Sequence, residues 1–160
     1  VDTILFVSDK QIKGAFDILS EKHIKRAKIT ECESASKVVN NDGDTERQEI
    51  ISQFNQRQLQ VLVGIKCLDE GIDIPNARIA ILMSSSTNPR EFVQRVGRVI
   101  RQAPNKKTSK IYDFIAFSDS AAGLLEKEAK RAQLIAANAD NYNEVREAFS
   151  QRGVNLDANQ

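Results

Sequence analysis

The chain has 160 residues, of which 41% are hydrophobic and 28% are charged, and its formal net charge is +1. These values are typical of a soluble globular domain and exclude a strongly basic or acidic protein, so any polyanion must bind at a local cluster of charge. No apolar run is long enough to cross a bilayer, and no signal peptide is evident. We therefore expect a cytoplasmic or nucleoid-associated protein that is not secreted and has no membrane partner.

The beginning of the chain has the pattern of a strand followed by a helix. Residues 3–7 form a short apolar run of β-forming residues, which is typical of a buried strand. In residues 9–22 the apolar side chains recur at helical spacing, with Ser8 as the expected N-cap and Gln11 at the capping-box position. This order predicts the opening of a βα unit.

The same alternation continues towards the middle of the chain. Residues 25–32 predict a weaker second strand, and Thr45 with Gln48 predicts a second capped helix. Arg47 lies in the first turn of that helix, where the helix dipole disfavours a cation. Two explanations of Arg47 stay open, namely an ion pair with a neighbouring acid and a contact with a ligand or another domain.

Further strands and two terminal helices complete the pattern. Strand-like runs occupy residues 60–65, 78–83 and 110–117. In the last run, Asp113 is expected to be paired or to lie at the end of the sheet. The bulky packing residues of that run are expected to be Tyr112, Phe114 and Phe117. Residues 121–137 predict a helix, and apolar residues from Tyr142 to Phe149 predict a shorter one.

Strands that alternate with helices predict an α/β fold, with a doubly wound, mainly parallel sheet, helices on both faces and appended C-terminal helices. We place the sheet domain in residues 1–118 and a helical extension with a frayed tail in residues 119–160. Because the chain enters its first strand almost at once, we expect it to be a piece of a longer polypeptide.

The segment with the most specific pattern is residues 91–102, which predict a helix. One stripe of this helix carries Arg90, Gln94, Arg98 and Arg101, and the opposite side carries Val93, Val96 and Ile100. Guanidinium groups on one stripe repel each other unless an anion lies among them, and their planar donors suit phosphate oxygens. A solvated cationic face is the plainer explanation. Gly97 argues against it, because a glycine inside a helix costs about 0.5–1 kcal/mol relative to alanine and leaves room for close approach.

A second candidate site lies in the loop at residues 66–75, which follows a predicted strand. Ligands of open α/β sheets gather at loops that leave the carboxyl ends of strands. Asp73 lies between Ile72 and Ile74, which we expect to be buried anchors, so its carboxylate is placed to accept a hydrogen bond from a sugar hydroxyl. A capping or turn acid is the alternative for Asp73. Gly71 most simply supplies a positive φ.

These two segments together resemble a known family. The pattern Q-x-x-G-R-x-x-R, formed by Gln94, Gly97, Arg98 and Arg101, resembles motif VI of superfamily 2 helicases. Residues 61–75 resemble motif V, residues 3–9 motif IV, and residues 45–54 the helix that precedes motif V. The resemblance covers residues 1–118 and looks closest to XPB-like translocases and helicase subunits of restriction-type systems. Gln94 stands where RNA-directed DEAD-box members carry histidine, which favours DNA over RNA as the partner.

The resemblance implies a RecA-like fold and a role in ATP hydrolysis. Such enzymes hold ATP with Mg²⁺ between two RecA-like domains, and the N-terminal domain carries the P-loop and the metal-binding acids. This chain resembles the second domain. Arg98 and Arg101 would act as arginine fingers on the γ-phosphate, Gln94 would lie near the same phosphate, and Asp73 would bind the ribose hydroxyl. Close approach of the nucleotide is expected at Gly71 and Gly97.

The resemblance also implies contacts with nucleic acid. In the family, the ends of motifs IV and V touch phosphates of one strand, partly through backbone amides. The matching positions are Ser8, Asp9, Gly64, Ile65 and Lys66. DEAD-box members have hydroxyl residues where Gly64 and Ile65 stand. The contacts here would therefore come from backbone N–H groups and Lys66, which gives affinity without base readout.

The sequence contains no G-x-x-x-x-G-K-[ST] phosphate loop, and Cys32 and Cys67 lack metal-ligand spacing, so we assign no metal site. We therefore expect that the isolated chain does not hydrolyse ATP and supplies half of an active site. Two other functions stay open. One is a domain of an ATP-driven protein translocase, and the other is a non-catalytic module whose arginines bind anions or nucleic acid.

Overall fold

The computed structural model describes residues 2–30, 38–64, 74, 76–83, 88, 93, 96–97, 101, 106–118 and 123–156. The chain forms two compact units, the first from residues 1–84 and 95–112 and the second from residues 85–94 and 113–160. The boundary that we placed at residue 118 stays a prediction. No helix in the described ranges is long and apolar enough to span a membrane.

One five-stranded sheet contains the strands β1 (Thr3–Phe6), β2 (Arg26–Ile29), β3 (Val61–Gly64), β4 (Ile79–Leu82) and β5 (Lys110–Asp113). Their order across the sheet is β2-β3-β1-β4-β5. The pairs β1–β3, β1–β4 and β2–β3 are parallel. Parallel strands need crossover connections rather than tight turns. This topology confirms the predicted parallel, doubly wound α/β fold.

The central strands are buried on both faces. Helix α1 (Ile12–Glu21) packs on one face, where it covers Leu5, Val7, Val61 and Val63. Successive side chains of a strand point to opposite faces, so Ile4 and Leu62 belong to the other side of the sheet. Both are fully buried. Burial on both faces explains why these strands are continuous apolar runs in the sequence.

Helix α2 (Glu46–Asn55) begins with the predicted capping box. The Thr45 hydroxyl accepts a hydrogen bond from the Gln48 N–H at 3.3 Å, and the Gln48 side chain accepts one from the Thr45 N–H at 2.8 Å. Phe54 is the fully buried anchor of the helix. Arg47 Nη2 donates to the carbonyl of Thr30 at 3.3 Å. At least one donor of Arg47 is therefore used inside the domain.

The second unit contains α3 (Leu124–Ala136) and α4 (Tyr142–Ser150), which confirm the two predicted terminal helices. Its core consists of Ala129, Ala132, Phe149 and Leu156. Helix α4 is followed by a turn that closes at Gly153, where φ is +77° and the Gly153 and Val154 N–H groups bond to the carbonyls of Ser150 and Phe149. This is a C-terminal cap that favours glycine.

A buried ion-pair cluster lies in the same unit. Arg131 is 2% exposed, and it donates to Asp113 Oδ1 at 2.6 Å and to Glu128 Oε2 at 2.5 Å. Asp113 is thus paired and ends β5, as predicted. Burial raises the pKa of Asp113, the Arg131 charge and hydrogen bond oppose that effect, and the Glu128 charge adds to it.

Helix α1 begins at Ile12, later than the predicted residue 9. The Ser8 N–H and hydroxyl both donate to Gln11 Oε1 at 2.9 Å, and the Gln11 N–H donates to the Ser8 carbonyl at 2.9 Å. These bonds close a turn ahead of the helix, so Ser8 is not its N-cap. Gln11 Nε2 also donates to the Met83 carbonyl at 3.2 Å, so the same side chain bridges the turn and the residue that follows Leu82.

Strand β5 ends at Asp113 rather than at residue 117, and the aromatic residues near it are not packing residues. Tyr112, Phe114 and Phe117 are 50%, 62% and 53% exposed. The strand lies at the edge of the sheet, and its exposure alternates from residue to residue. An edge strand is covered on fewer sides than a central one, which explains the exposure of Tyr112, while Phe114 and Phe117 lie beyond the end of the strand.

The predicted helix at residues 91–102 is confirmed in part. Val93, Val96 and Gly97 are helical, and Val96 is 2% exposed, as expected for the apolar side. Arg101 is not helical, so the helix ends earlier than predicted. The sequence explains the early end, because helices usually stop before a proline and Pro104 follows closely.

Candidate functional site

The carboxyl ends of three neighbouring strands meet at one edge of the sheet. The last residues of β1, β3 and β4 are in register, with Phe6 beside both Gly64 and Leu82. The segments that contain the predicted nucleic-acid and nucleotide contacts leave the sheet from these ends. In open α/β sheets this is the edge at which ligands bind.

Ser8 and Asp9 follow β1 directly at this edge. Ser8 is half-buried, and its hydroxyl is engaged with Gln11, while Asp9 is exposed. Gln11 links the segment to β4 through the carbonyl of Met83. The turn after β1 is therefore held in place by two polar contacts, one local and one across the edge.

Gly64 is buried at the end of β3. Its carbonyl accepts a hydrogen bond from the Val7 N–H at 3.1 Å, so this acceptor is used by the sheet. The proposed contact of Gly64 with nucleic acid stays a prediction. The burial means that a ligand approaching here would meet mainly backbone at the end of the strand.

The segment that ends the motif V region is firmly anchored. Ile74 and Ala77 are fully buried, and the Ala77 N–H donates to the Ile74 carbonyl at 3.2 Å. Asn76 Nδ2 donates to the carbonyl of Asn55, the last residue of α2, at 2.8 Å. Ile74 is thus one of the two buried anchors that we expected beside Asp73.

Gly97 is exposed and helical, and it faces open space. A Cβ built at this position would have no atom of the described structure within 4 Å, and Gly97 does not have a positive φ. Neither internal packing nor backbone conformation therefore requires a glycine here. This agrees with the expectation that the missing side chain leaves room for something outside the domain.

Arg101 is exposed, and no described residue pairs with its guanidinium. Its main-chain carbonyl accepts a hydrogen bond from Lys106 Nζ at 2.8 Å. Lys106 is 6% exposed. Nothing in the sequence indicates a buried lysine in the polar segment after the helix.

Several predicted site residues lie outside the described residues, so their assignments stay predictions. They are Ile65, Lys66, Gly71, Asp73, Gln94 and Arg98. Cys32 and Cys67 also lie outside. Within the described ranges, no group of three or more histidine, cysteine, aspartate or glutamate residues is arranged to hold a metal ion.

A family model described as the helicase conserved C-terminal domain matches residues 2–103. The chain belongs to this family. The match contains the edge of the sheet described above, Gly97 and Arg101, and it confirms the resemblance to the C-terminal domains of superfamily 2 helicases. The match thus shows the family and the fold, and the assignments of the individual site residues stay predictions.

Among the relatives of this helicase domain is the DNA 3'-5' translocase XPB2 of Sulfurisphaera tokodaii, which is 40% identical over 57 residues, covering 36% of this chain and 13% of the relative. UvrABC system protein B of Levilactobacillus brevis is 32% identical over 102 residues, covering 60% of this chain and 15% of the relative. The chain therefore spans a small part of the length of these relatives.

The crystal structure of the C-terminal part of the Fun30 ATPase domain superposes with a TM-score of 0.60 at 18% identity. The alignment covers 94% of this chain and 48% of the Fun30 chain. At this identity the likeness shows the fold, and it extends the fold assignment to nearly the whole chain.

Proposed function

We propose that the chain is the second motor domain of an ATP-dependent DNA helicase or translocase. In this role it supplies arginine fingers to a nucleotide held by an N-terminal RecA-like domain of the same polypeptide. Two observations carry the proposal: Gly97 is an exposed helical glycine with no described atom within 4 Å of a Cβ built on it, and Arg101, four residues later, is exposed and its guanidinium has no described partner.

The chemistry of phosphoryl transfer explains why such a surface is useful. Negative charge spreads over the transferred phosphoryl oxygens in the transition state, and a cation fixed beside them lowers the barrier. An arginine finger contributes a factor of about 10³–10⁵ to the rate. In the proposed site, Arg98 and Arg101 contact the γ-phosphate and Gln94 lies near it.

The nucleotide itself is the second part of the proposal. ATP with Mg²⁺ is bound mainly by the first domain, whose acids hold the metal. From this chain, Asp73 binds the ribose hydroxyl, and Gly71 and Gly97 let the nucleotide approach. The buried Ile74 supports the role of Asp73, since a carboxylate next to a fixed residue has a restricted position.

Nucleic acid is proposed to run along the carboxyl edge of the sheet. Ser8, Asp9, Gly64, Ile65 and Lys66 are the proposed contacts to the phosphates of one strand. The Ser8 N–H already donates to Gln11 Oε1, so a phosphate contact through this amide would have to replace that bond. DNA is preferred over RNA because of Gln94, and the relative XPB2, a DNA 3'-5' translocase, is consistent with that preference.

The test is Arg101→Ala in the full-length polypeptide, with Arg146→Ala as the control because Arg146 is an exposed arginine of α4. We expect the DNA-stimulated turnover of ATP to fall by about 10³-fold while nucleotide affinity is largely kept. Arg146→Ala is expected to turn over like the wild type. Unchanged turnover in Arg101→Ala would instead favour a module that only binds anions.

A second measurement separates the helicase from a protein translocase. The ATPase of the full-length polypeptide is measured with duplex DNA, with single-stranded RNA and with an unfolded polypeptide. We expect stimulation by DNA. Stimulation by polypeptide alone would contradict the proposed function, and stimulation by RNA alone would contradict the choice of DNA. The isolated chain is expected to have no ATPase activity because it lacks a P-loop.

A further inference from the structure

A buried lysine lies against the main chain of Arg101. Lys106 is 6% exposed, and its Nζ donates to the Arg101 carbonyl at 2.8 Å. Lysine is almost never buried to this degree unless its ammonium group has a partner, because a charge that leaves water loses its hydration. Burial lowers the pKa of Lys106, and the like charge of Arg78 lowers it further. The arrangement is therefore costly for the fold, and the bond to Arg101 is what offsets the cost.

The position of this bond is informative. The last carbonyls of a helix have no partner within the helix, and helix ends fray. Arg101 lies beyond the helical residues Val96 and Gly97, and its side chain is exposed. The Lys106 bond restrains the Arg101 carbonyl, and its loss would leave the main chain there less restrained. A shift of the main chain would move the guanidinium, which sits at the end of a long side chain.

We propose that Lys106 is a positioning residue, whose ammonium group fixes the main chain of Arg101 so that the guanidinium is held ready for a phosphate oxygen. The inference rests on the proposed function, because it takes Arg101 as the residue that contacts the γ-phosphate. Lys106 itself does not touch the nucleotide. It lies beyond residues 2–103, the segment that the helicase family model matches, so family membership alone does not assign it a role.

The physical basis is preorganisation. A cation stabilises a transition state most when it is already in place, because it then needs no reorganisation during the reaction. A displacement of about 1 Å at a catalytic group lowers the rate by about 100-fold. Loss of the Lys106 bond is therefore expected to lower kcat and to leave the KM for ATP nearly unchanged, since Arg101 acts on the transition state rather than on binding.

The experiment measures DNA-stimulated ATP turnover in the full-length polypeptide. Lys106→Met keeps the apolar stem and removes the donor, and we expect kcat to fall by about 10- to 100-fold with KM within about twofold. Lys106→Gln is measured beside it, so that the test does not depend on one variant folding well. Lys106→Arg, which keeps a cationic donor, is expected to recover part of the lost kcat. Lys130→Met removes an exposed lysine of α3 and is the control, with kcat unchanged.

A purely structural role predicts a different result. If Lys106 only stabilises the helix end, Lys106→Met and Lys106→Gln will lower the melting temperature and leave kcat unchanged at temperatures well below melting. That outcome would overturn the inference. A rise in the KM for ATP with kcat unchanged would overturn it as well, because Lys106 would then act on the bound nucleotide rather than through Arg101.

The double variant Arg101→Ala with Lys106→Met separates the inference from the proposed function. Because Lys106 acts through Arg101, the double variant is expected to be no slower than Arg101→Ala alone. If the double variant loses kcat by the product of the two single losses, the inference is overturned and the role of Arg101 is left intact. If Arg101→Ala turns over like the wild type, the proposed function fails and the inference fails with it.

Discussion

Replacing Arg131 with methionine is expected to destabilise the second unit strongly, because it removes the cation that two buried carboxylates share. The side chain of Arg131 is 2% exposed, while those of Asp113 and Glu128 are 14% and 8% exposed. Methionine fills much of the aliphatic volume of arginine but donates no hydrogen bond. Both carboxylates would therefore stay out of water without the cation that stabilises them.

The magnitude follows from the two contacts. Each is a charge-assisted hydrogen bond, and such a bond contributes about 1.5–3 kcal/mol. Removing one partner of a buried ion pair costs about 3–5 kcal/mol, because the remaining charge is left uncompensated. We therefore expect the free energy of unfolding to fall by about 3–5 kcal/mol at neutral pH, which is a large part of the roughly 5–15 kcal/mol typical of a domain.

The loss is expected to depend on pH in a defined direction. The pKa of Asp113 is already raised by burial, against the opposing charge of Arg131. Removing Arg131 removes the opposing charge, so the pKa of Asp113 rises further. A carboxyl with a raised pKa in the folded state stabilises the fold when it is protonated, and this stabilisation is lost as pH rises through that pKa. The defect of Arg131→Met should therefore shrink as pH falls from 7 towards the unfolded pKa.

The assay is urea unfolding followed by circular dichroism at pH 7 and at about pH 4.5, for the wild type and Arg131→Met. Arg146→Met, an exposed arginine of α4, is the control and should stay within about 0.5 kcal/mol of the wild type. A loss below about 1 kcal/mol at pH 7 would show that the cluster is not the buried network described here. An equal loss at both pH values would refute the argument from the carboxyl pKa.

Three further changes test the caps and the helix glycine by the same unfolding assay. Thr45→Ala removes the hydroxyl that caps α2 and is expected to cost about 1 kcal/mol, whereas Thr45→Ser should stay close to the wild type; equal losses would argue against the cap. Gly153→Ala forces a side chain into φ +77° and is expected to cost about 1 kcal/mol. Gly14→Ala lies in α1 with no described atom within 4 Å of the new Cβ and is expected to add about 0.5 kcal/mol. A destabilising Gly14→Ala would mean that this helix face is covered.

The two capping patterns show what a local sequence signal predicts and where it fails. Thr45 and Gln48 form both bonds of the predicted box. Ser8 and Gln11 have the same spacing, yet Gln11 also binds the carbonyl of Met83, and the helix begins later. A contact between residues so far apart in the chain leaves no trace in a window of four residues.

The parallel, doubly wound fold class was predicted, because apolar runs alternate with amphipathic segments, but the order of the strands across the sheet was not. The ends of the elements were less predictable. Strand β5 stops at Asp113, whose partner Arg131 lies in a helix that the sequence does not connect with it. Helices α1 and α2 are followed by His23 and Arg57 at φ 54° and 61°, positions where glycine is the usual signal. Without that signal, the sequence gives no local reason for the helices to end there.

Gly97 and Lys106 are two residues that are unfavourable for the fold. A glycine in a helix weakens it, and at Gly97 no described side chain fills the space that the glycine leaves. A buried lysine is also unfavourable, and Lys106 has its ammonium group at the carbonyl of Arg101. The sequence predicted the first residue as a point of close approach and missed the second, since a lysine in a polar segment is ordinarily solvated. Under the proposed function both costs have one explanation, which is that an arginine must be held beside an open surface. If Arg101 proves to be dispensable for turnover, Gly97 and Lys106 each need a separate explanation. The open surface at Gly97 would then point to a ligand that does not contact Arg101.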